Sequence, residues 1–143
     1  MPFTFTALPN NLYFIRWEGG KATRAHGEQY ILMFESLLAK ATSPIYFITH
    51  LRQGHIGDID ILRRLSKLSS HPFWGGGTAF GNAPESEVFA SFFARMVERQ
   101  RRDDDVWPHP EQAVAYLEAL KPGITKGIDW AALIEGYPTA NRP

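Results

Sequence analysis

The sequence predicts an α/β fold: a mixed, mainly parallel sheet of about four or five strands with about four helices packed on it. Two observations lead to this prediction. The stretch from Ser43 to Phe80 reads as a strand, a helix and a second strand, which is the pattern of a βαβ unit. Two short stretches of strand-forming residues precede it, and the turn between them predicts an N-terminal hairpin.

The hairpin and the first helix occupy the beginning of the chain. From Phe3 to Ala7 apolar residues alternate with threonines, which is typical of a half-buried strand, and a second strand is predicted from Leu12 to Trp17. The turn between them is Pro9-Asn10-Asn11. A helix is then predicted from Thr23, a suitable N-cap, to about Ala41. Its apolar stripe consists of Tyr30, Ile31, Phe34, Leu37 and Leu38.

The βαβ unit begins with a near-continuous apolar run, Ile45 to Ile48, as expected of a strand that is buried on both faces. A helix is predicted to begin at Asp58, and its apolar side is formed by Ile61, Leu62, Leu65 and Leu68. Gly75-Gly76-Gly77 are interpreted as a flexible turn before a short strand, Thr78 to Phe80. Because phosphate-binding glycines follow a strand and open a helix, this order argues against a nucleotide site.

The second half of the chain predicts a helix from about Pro84, a short strand at Val106-Trp107 and a helix that begins at Pro110 and stops at Pro122-Gly123. The whole chain, 1–143, is interpreted as one domain with a core at about 3–120. The extension 121–143 is expected to dock on that core or on a partner. Trp130 and its apolar neighbours in this extension leave a homodimer open.

The composition excludes several classes of function. The 15 Lys and Arg residues are balanced by 15 Asp and Glu residues, which argues against a nucleic-acid partner. The absence of cysteine excludes disulfides and thiol catalysis, and it is typical of a protein of the reducing cytoplasm. No apolar run approaches the length of about 18 residues that a membrane helix needs, so no membrane insertion is predicted.

The order of these elements resembles the STAS domain family of bacteria, the SpoIIAA-like anti-sigma-factor antagonists, from about Phe3 to Leu120. The most specific pieces are the strand PIYFITHL, the helix start DIDILRRL after it, and the last helix, PEQAVAYL. The resemblance implies a single STAS-like domain. It also implies a non-enzymatic, cytoplasmic regulatory or protein–protein interaction module that needs no cofactor.

In STAS antagonists an Asp-Ser-Ser-like stretch at the start of this helix offers a serine to a partner kinase, and phosphate on that serine breaks the complex. Laid on this sequence, the motif falls on Asp58, Ile59 and Asp60, so the phosphorylatable serine is absent. The first hydroxyl after them belongs to Ser66. Asp58 is a natural residue for the positive end of the helix. The resemblance therefore implies an interaction surface without the kinase switch of the family.

The predicted contact surface is the loop after the buried strand together with the start of the next helix. It consists of His50, Arg52, Gln53, His55, Asp58 and Asp60. Open α/β sheets place their sites at the carboxyl ends of strands, which is where this loop begins. Arg52 can donate two parallel hydrogen bonds to a carboxylate or phosphate of a partner. A protein partner is the main expectation.

Two alternatives remain open. A small apolar ligand or a lipid could occupy a pocket between the sheet and an aromatic helix face formed by Phe89, Phe92, Phe93 and Met96, although this helical spacing also fits core packing. A metal-dependent enzyme would require His50, His55 and His71 to converge. Their spacing fits no compact metal motif, and no GxSxG or HExxH signature occurs. Neither a catalytic residue nor a metal site is therefore predicted.

Overall fold

The computed structural model describes residues 3–17, 23–50, 59–81, 104–107, 109–135 and 137. The strands within these ranges are β1 (Phe3–Leu8), β2 (Leu12–Trp17), β3 (Ile45–His50), β4 (Trp74–Phe80) and β5 (Asp104–Trp107). The helices are α1 (Arg24–Lys40), α2 (Ile59–Leu68), α3 (Pro110–Leu120) and α4 (Trp130–Leu133). The strands form one 5-stranded sheet in the order β1-β2-β3-β4-β5. Since β1 runs antiparallel to β2 and every later pair is parallel, the predicted mixed, mainly parallel α/β fold is confirmed.

The helices that the structure describes begin close to the predicted positions. α1 follows the predicted cap Thr23, whose hydroxyl oxygen accepts a hydrogen bond of 3.2 Å from the backbone N–H of His26. α3 opens with Pro110 at its first turn, where a missing N–H costs nothing. The helix predicted from about Pro84 lies outside the described residues. None of the described helices is both long enough and apolar enough to span a membrane.

The N-terminal hairpin has the predicted form. β1 and β2 pair along their full length. Asn10 and Asn11 close the turn with φ angles of 70° and 60°, a left-handed conformation that asparagine tolerates better than most residues. The side-chain amide of Asn10 also donates hydrogen bonds of 3.0 and 3.1 Å to the backbone carbonyls of Ile124 and Lys126. The turn thus holds a segment that is more than a hundred residues away in the chain.

Both faces of the sheet are covered by helices. α1 and α2 contact each other and lie on one face, here called the α1/α2 face, whereas α3 and α4 cover the opposite α3/α4 face. The largest buried side chains on the α1/α2 face are Trp17, Tyr30, Phe34, Phe47 and Trp74. On the α3/α4 face they include Leu12, Phe14, Ile48, Phe80 and Leu117. β3 contributes to both cores, which explains why its sequence is apolar at nearly every position.

The segment after α3 returns onto the α3/α4 face. Ile124, Trp130 and Ile134 are buried in the core of that face. Glu118 of α3 fixes the turn that leads there, because its carboxylate accepts hydrogen bonds from the Thr125 hydroxyl and from the backbone N–H of Gly123. These bonds lower the pKa of Glu118. The apolar residues that prompted the expectation of a homodimer thus cover the chain's own sheet.

The three consecutive glycines are a correction to the sequence-based interpretation. Gly75-Gly76-Gly77 do not form a turn before the strand but belong to β4. The ring of Tyr46 on the neighbouring strand lies so close to β4 that a Cβ on Gly75 would come within 2.5 Å of it. A residue without a side chain is therefore required there, and tertiary packing overrides the low strand propensity of glycine.

Candidate functional site

The parallel strands end together at one edge of the sheet, here called the carboxyl edge. Its last strand residues are Trp17, His50, Phe80 and Trp107. α1 and α2 both begin at this edge, since they follow β2 and β3 in the chain. His50 is the last residue of β3, and Asp60 is the second residue of α2. The predicted contact surface therefore begins and ends at the edge where open α/β sheets bind ligands and partners.

His50 and Asp60 nevertheless lie on opposite faces of the sheet. The His50 ring stacks on the Phe80 ring on the α3/α4 face, with 4.5 Å between centroids and 25° between planes. Asp60 belongs to α2 and pairs with α1 on the other face. The side chains at the two ends of the predicted contact surface therefore face opposite sides of the sheet, and the surface itself stays a prediction. The remaining predicted members, Arg52, Gln53, His55 and Asp58, lie outside the described residues.

Four charged side chains join the amino ends of α1 and α2. Arg24 donates to Asp60 through Nη2 at 2.8 Å and lies 3.6 Å from the Glu28 carboxylate. Arg64 donates to Glu28 at 2.6 Å. Because these side chains are at least one-third exposed, each pair contributes only about 0–1 kcal/mol to stability. The network mainly holds the four charged groups in fixed positions, and it balances the negative charge of the Asp60 carboxylate. The STAS resemblance places a serine at this position.

The two helices approach each other closely because of a glycine. A Cβ on Gly27 of α1 would lie 2.8 Å from Cγ1 of Ile61 of α2, and Ile61 is fully buried. This close contact brings the arginines of each helix within reach of the carboxylates of the other. The sequence-based reasoning did not single out Gly27. The available signal was a glycine inside an otherwise regular helical pattern, which often has a packing reason.

Two large apolar side chains of α1 are exposed, and one of them lies on the side of this network. Leu32 and Met33 on α1 are 59% and 39% exposed, and among the described residues they are the large apolar side chains most open to solvent. Leu32 follows Glu28 by four positions, so both lie along the same side of the helix. Met33 lies about 140° further round the helix than Glu28 and belongs to the other flank of α1. We call the patch around the network the α1/α2 surface; it consists of Arg24, Glu28, Leu32, Asp60 and Arg64. Apolar side chains bordered by charges are typical of a protein interface.

A second group of side chains lies on the α3/α4 face of the carboxyl edge. Arg16, His50, Phe80 and Trp107 are consecutive partners across four parallel strands, so their side chains point to the same side of the sheet. We call this group the edge row. At one end of it, Nη2 of Arg16 donates a 2.6 Å hydrogen bond to the carbonyl oxygen of Leu133 at the end of α4. The row thus carries a cation at one end and an indole at the other.

Three N–H donors on this face are buried and have no acceptor among the described residues. They are Nε of Arg16, Nε1 of Trp107 and Nε1 of Trp130. A buried donor without an acceptor costs about 1–3 kcal/mol, so such donors are normally paired. The sequence-based reasoning did not identify this group. Its only sequence signal is Arg16 itself, a cation on the strand face that also carries Leu12 and Phe14.

Two of the three histidines considered as a metal centre, His50 and His71, do not converge. His50 lies at the carboxyl end of β3, whereas His71 precedes β4 at the opposite end of the sheet. Along the strand direction, His50 and His71 are separated by about five residues, or roughly 16 Å. His71 Nδ1 instead accepts a 3.0 Å hydrogen bond from the backbone N–H of Phe73. Within the described ranges, no cluster of three or more His, Cys, Asp or Glu residues could hold a metal ion.

The predicted apolar pocket and the third histidine fall outside the described residues. These residues are His55, Phe89, Phe92, Phe93 and Met96. The pocket between the aromatic helix and the sheet therefore stays a prediction.

Comparison with known proteins identifies the fold. No protein-family model matches the chain, and no curated protein matches it. The chain is similar to the crystal structure of an uncharacterized protein of the DUF3478 family with a SpoIIAA-like fold from Shewanella loihica PV-4. The TM-score is 0.55 at 14% sequence identity, and the match covers 80% of this chain and 91% of that chain. At this identity the likeness concerns the fold, and it agrees with the sheet described above: the chain has a SpoIIAA-like fold.

Proposed function

We propose that this protein is a non-enzymatic, cytoplasmic regulatory module that binds a protein partner through the α1/α2 surface. The observation that carries the proposal is the exposed side chain of Leu32 on the same side of α1 as a network of four charges at the carboxyl edge. The STAS resemblance supports it, because STAS antagonists meet their partners at the start of the helix that corresponds to α2. The predicted residues Arg52, Gln53, His55 and Asp58 would extend the same surface.

The apolar side chain of Leu32 supplies part of the affinity that such a contact needs. Burying a leucine side chain contributes about 1.5–3 kcal/mol. Leu32 therefore provides an anchor, and the neighbouring charges set orientation and association rate.

The charges of α2 indicate the chemistry of the partner. Arg63 and Lys67 are exposed, lie one helical turn apart and form no ion pair with the residues that the structure describes. Together with Arg64 they give α2 a basic outer side. We infer a partner protein with an apolar patch bordered by carboxylates. Asp60 is already compensated by Arg24, so binding would be constitutive and would not be switched by a kinase at this position.

The proposal is tested by capture of a partner from the source organism with three tagged proteins. These are the wild type, Leu32→Ser, and Glu111→Ala as a control at an exposed position of α3. A partner that binds the purified wild type and Glu111→Ala equally, and Leu32→Ser at least about tenfold more weakly, supports the proposal. Its association should also slow as salt is raised, because basic and acidic rims attract each other.

Two outcomes would contradict the proposal. The first is recovery of the same partners, with the same affinity, by all three proteins. The second is recovery of none by the wild type. Circular dichroism of Leu32→Ser is the control for folding, and the substitution is at an exposed position.

A further inference from the structure

We propose that β1 pairs through its outer edge with β1 of a second copy of this chain, so that the two sheets become continuous. β1 is the first strand of the sheet, and the one strand beside it is β2. The contact is separate from the α1/α2 surface, because α1 faces α2 with one flank and packs on β1 with the other. The inference therefore goes beyond the proposed partner contact and does not depend on it.

The hydrogen-bond pattern shows which backbone groups of β1 point away from the sheet. The backbone N–H of Tyr46 in β3 donates to the carbonyl oxygen of Asn11 at 2.9 Å, so Asn11 and every second residue after it point their backbone groups toward β3. The residues between them bond to β1. Their partners in β1 are Thr4, Thr6 and Leu8. The backbone groups that point outward, without a partner among the described residues, belong to Phe3, Phe5 and Ala7.

β1 has none of the features that normally keep an edge strand from pairing with another chain. Its sequence, FTFTAL, contains no charge and no proline, and it pairs with β2 residue for residue, without a bulge. Phenylalanine and threonine are also good strand formers. Pro2 and Pro9 stand on either side of the strand in the sequence, and neither can donate a backbone hydrogen bond. Pairing is therefore confined to Phe3–Leu8.

The strand is complementary to itself when the pair is antiparallel and centred on Phe5. In this register Phe5 faces Phe5 of the second copy, and Phe3 faces Ala7. Every outward N–H then meets an outward carbonyl oxygen, whereas a shifted register leaves some of them unpaired. The large ring of Phe3 lies opposite the small Ala7. On the other face of the strand Thr4 lies opposite Thr6, a favourable cross-strand pair. Since no charged side chain has to be matched, a second copy of β1 is a suitable partner.

The exposed Met33 extends this contact from the sheet to the helix layer. The ring of Tyr30 on α1 lies 5.4 and 5.8 Å from the rings of Phe3 and Phe5, so the flank of α1 that carries Tyr30 faces β1. Met33 is one helical turn further along and lies on the same flank, 39% exposed. A second copy at the β1 edge buries the Met33 side chain and the half-buried Phe5 ring. This apolar area adds to the backbone hydrogen bonds.

The test is sedimentation velocity of the purified full chain over a range of concentrations up to about 1 mM. We expect a reversible monomer–dimer equilibrium. Ala7→Pro removes an N–H that points outward, so it leaves the hydrogen bonds between β1 and β2 in place. It should weaken the dimer by at least about tenfold.

A second pair of variants uses charge. Thr4→Glu/Thr6→Glu places carboxylates opposite each other across the two copies, and like charges in this position are unfavourable. It should also weaken the dimer at least about tenfold. The matched control is Ser36→Glu/Ala39→Glu, which adds the same charge at exposed positions of α1 away from the flank that packs on β1. This control should associate as the wild type does.

Amide hydrogen exchange of the ¹⁵N-labelled chain shows whether the dimer uses β1. The N–H of Phe5 points outward and is open to solvent in the monomer, whereas the N–H of Thr6 bonds to β2 in both states. We expect exchange at Phe5 to slow in concentrated samples, where the dimer forms. Exchange at Thr6 is the internal reference.

Three results would overturn the proposal. The first is a monomer at every concentration up to about 1 mM. The second is a dimer of unchanged affinity in both Ala7→Pro and Thr4→Glu/Thr6→Glu. The third is a dimer in which the Phe5 N–H exchanges as fast as in the monomer, since the contact then lies elsewhere. Urea midpoints in dilute solution verify that the variants fold, and the exchange experiment uses the wild type alone.

Discussion

Replacing Gly27 by alanine tests the close contact between α1 and α2. The added methyl carbon would lie 2.8, 3.1 and 3.3 Å from Cγ1, Cδ1 and Cγ2 of Ile61. Carbon atoms normally rest about 3.5–4.0 Å apart, so the Ile61 side chain or the α2 backbone has to move by roughly 0.7 Å. Ile61 is fully buried, and close-packed interiors leave little room for such a shift.

The expected change in the free energy of unfolding is the difference between a packing cost and a gain in helix propensity. Inserting a methyl group into a packed core costs about 1–3 kcal/mol. Alanine also favours a helix over glycine by about 1 kcal/mol, which offsets part of that cost. We therefore expect Gly27→Ala to lower the free energy of unfolding by about 1 kcal/mol. Urea denaturation followed by tryptophan fluorescence measures this change.

Two controls separate the packing cost from the gain in helix propensity. Ser36 is exposed on the same helix, so the difference in stability between Ser36→Ala and Ser36→Gly gives the propensity term for α1. Ile61→Ala removes the three carbon atoms that the new methyl would meet, although alone it costs about 2–5 kcal/mol. In the double variant the two changes should offset each other by about 1 kcal/mol. Additive effects within about 0.5 kcal/mol, or no clash cost after the propensity correction, would refute the reasoning.

Three further predictions concern stability. Burial raises the pKa of Tyr30 from 10.0 to about 12, against the opposing effect of its hydrogen bonds, so the unfolded chain loses this proton first as pH rises. The free energy of unfolding should fall by up to about 3 kcal/mol between roughly pH 10 and pH 12, and less in Tyr30→Phe. The hydrogen bond from Thr125 is the main reason why the pKa of Glu118 is lowered from 4.5. Its stabilising effect is present above that pH and is lost on acidification, so the urea midpoint of Glu118→Gln should depend less on pH below about 5. Gly75→Ala should destabilise by about 1–3 kcal/mol, and Tyr46→Leu in the same chain should recover part of this loss; an unchanged urea midpoint would contradict the contact.

The elements that were predicted correctly depend on local patterns. The hairpin is determined by the alternation of apolar and polar residues in β1 and by two asparagines in the turn. The start of α1 is determined by a threonine cap. Neither depends on distant residues. The apolar run of β3 likewise indicated a strand covered on both faces. These signals repeat within a few residues, so the α/β class was predictable from the sequence.

The features that were missed depend on residues far apart in the chain. Gly75 lies in a strand because the ring of Tyr46 packs on it, and nothing near the glycines announces that ring. Similarly, the fit of Gly27 depends on Ile61, which is 34 positions further along the chain. Each of these contacts exists only after strands or helices have been placed side by side.

The candidate site likewise combines features that local sequence patterns determine with features that depend on distant contacts. The sequence by itself determined the elements, their order and the edge at which His50 and Asp60 lie. Only the tertiary structure decided that these side chains face opposite sides of the sheet, and that Arg16, His50, Phe80 and Trp107 form one row. The physical reason is register: hydrogen bonding between parallel strands aligns residues that lie about thirty positions apart, and no local pattern encodes that alignment.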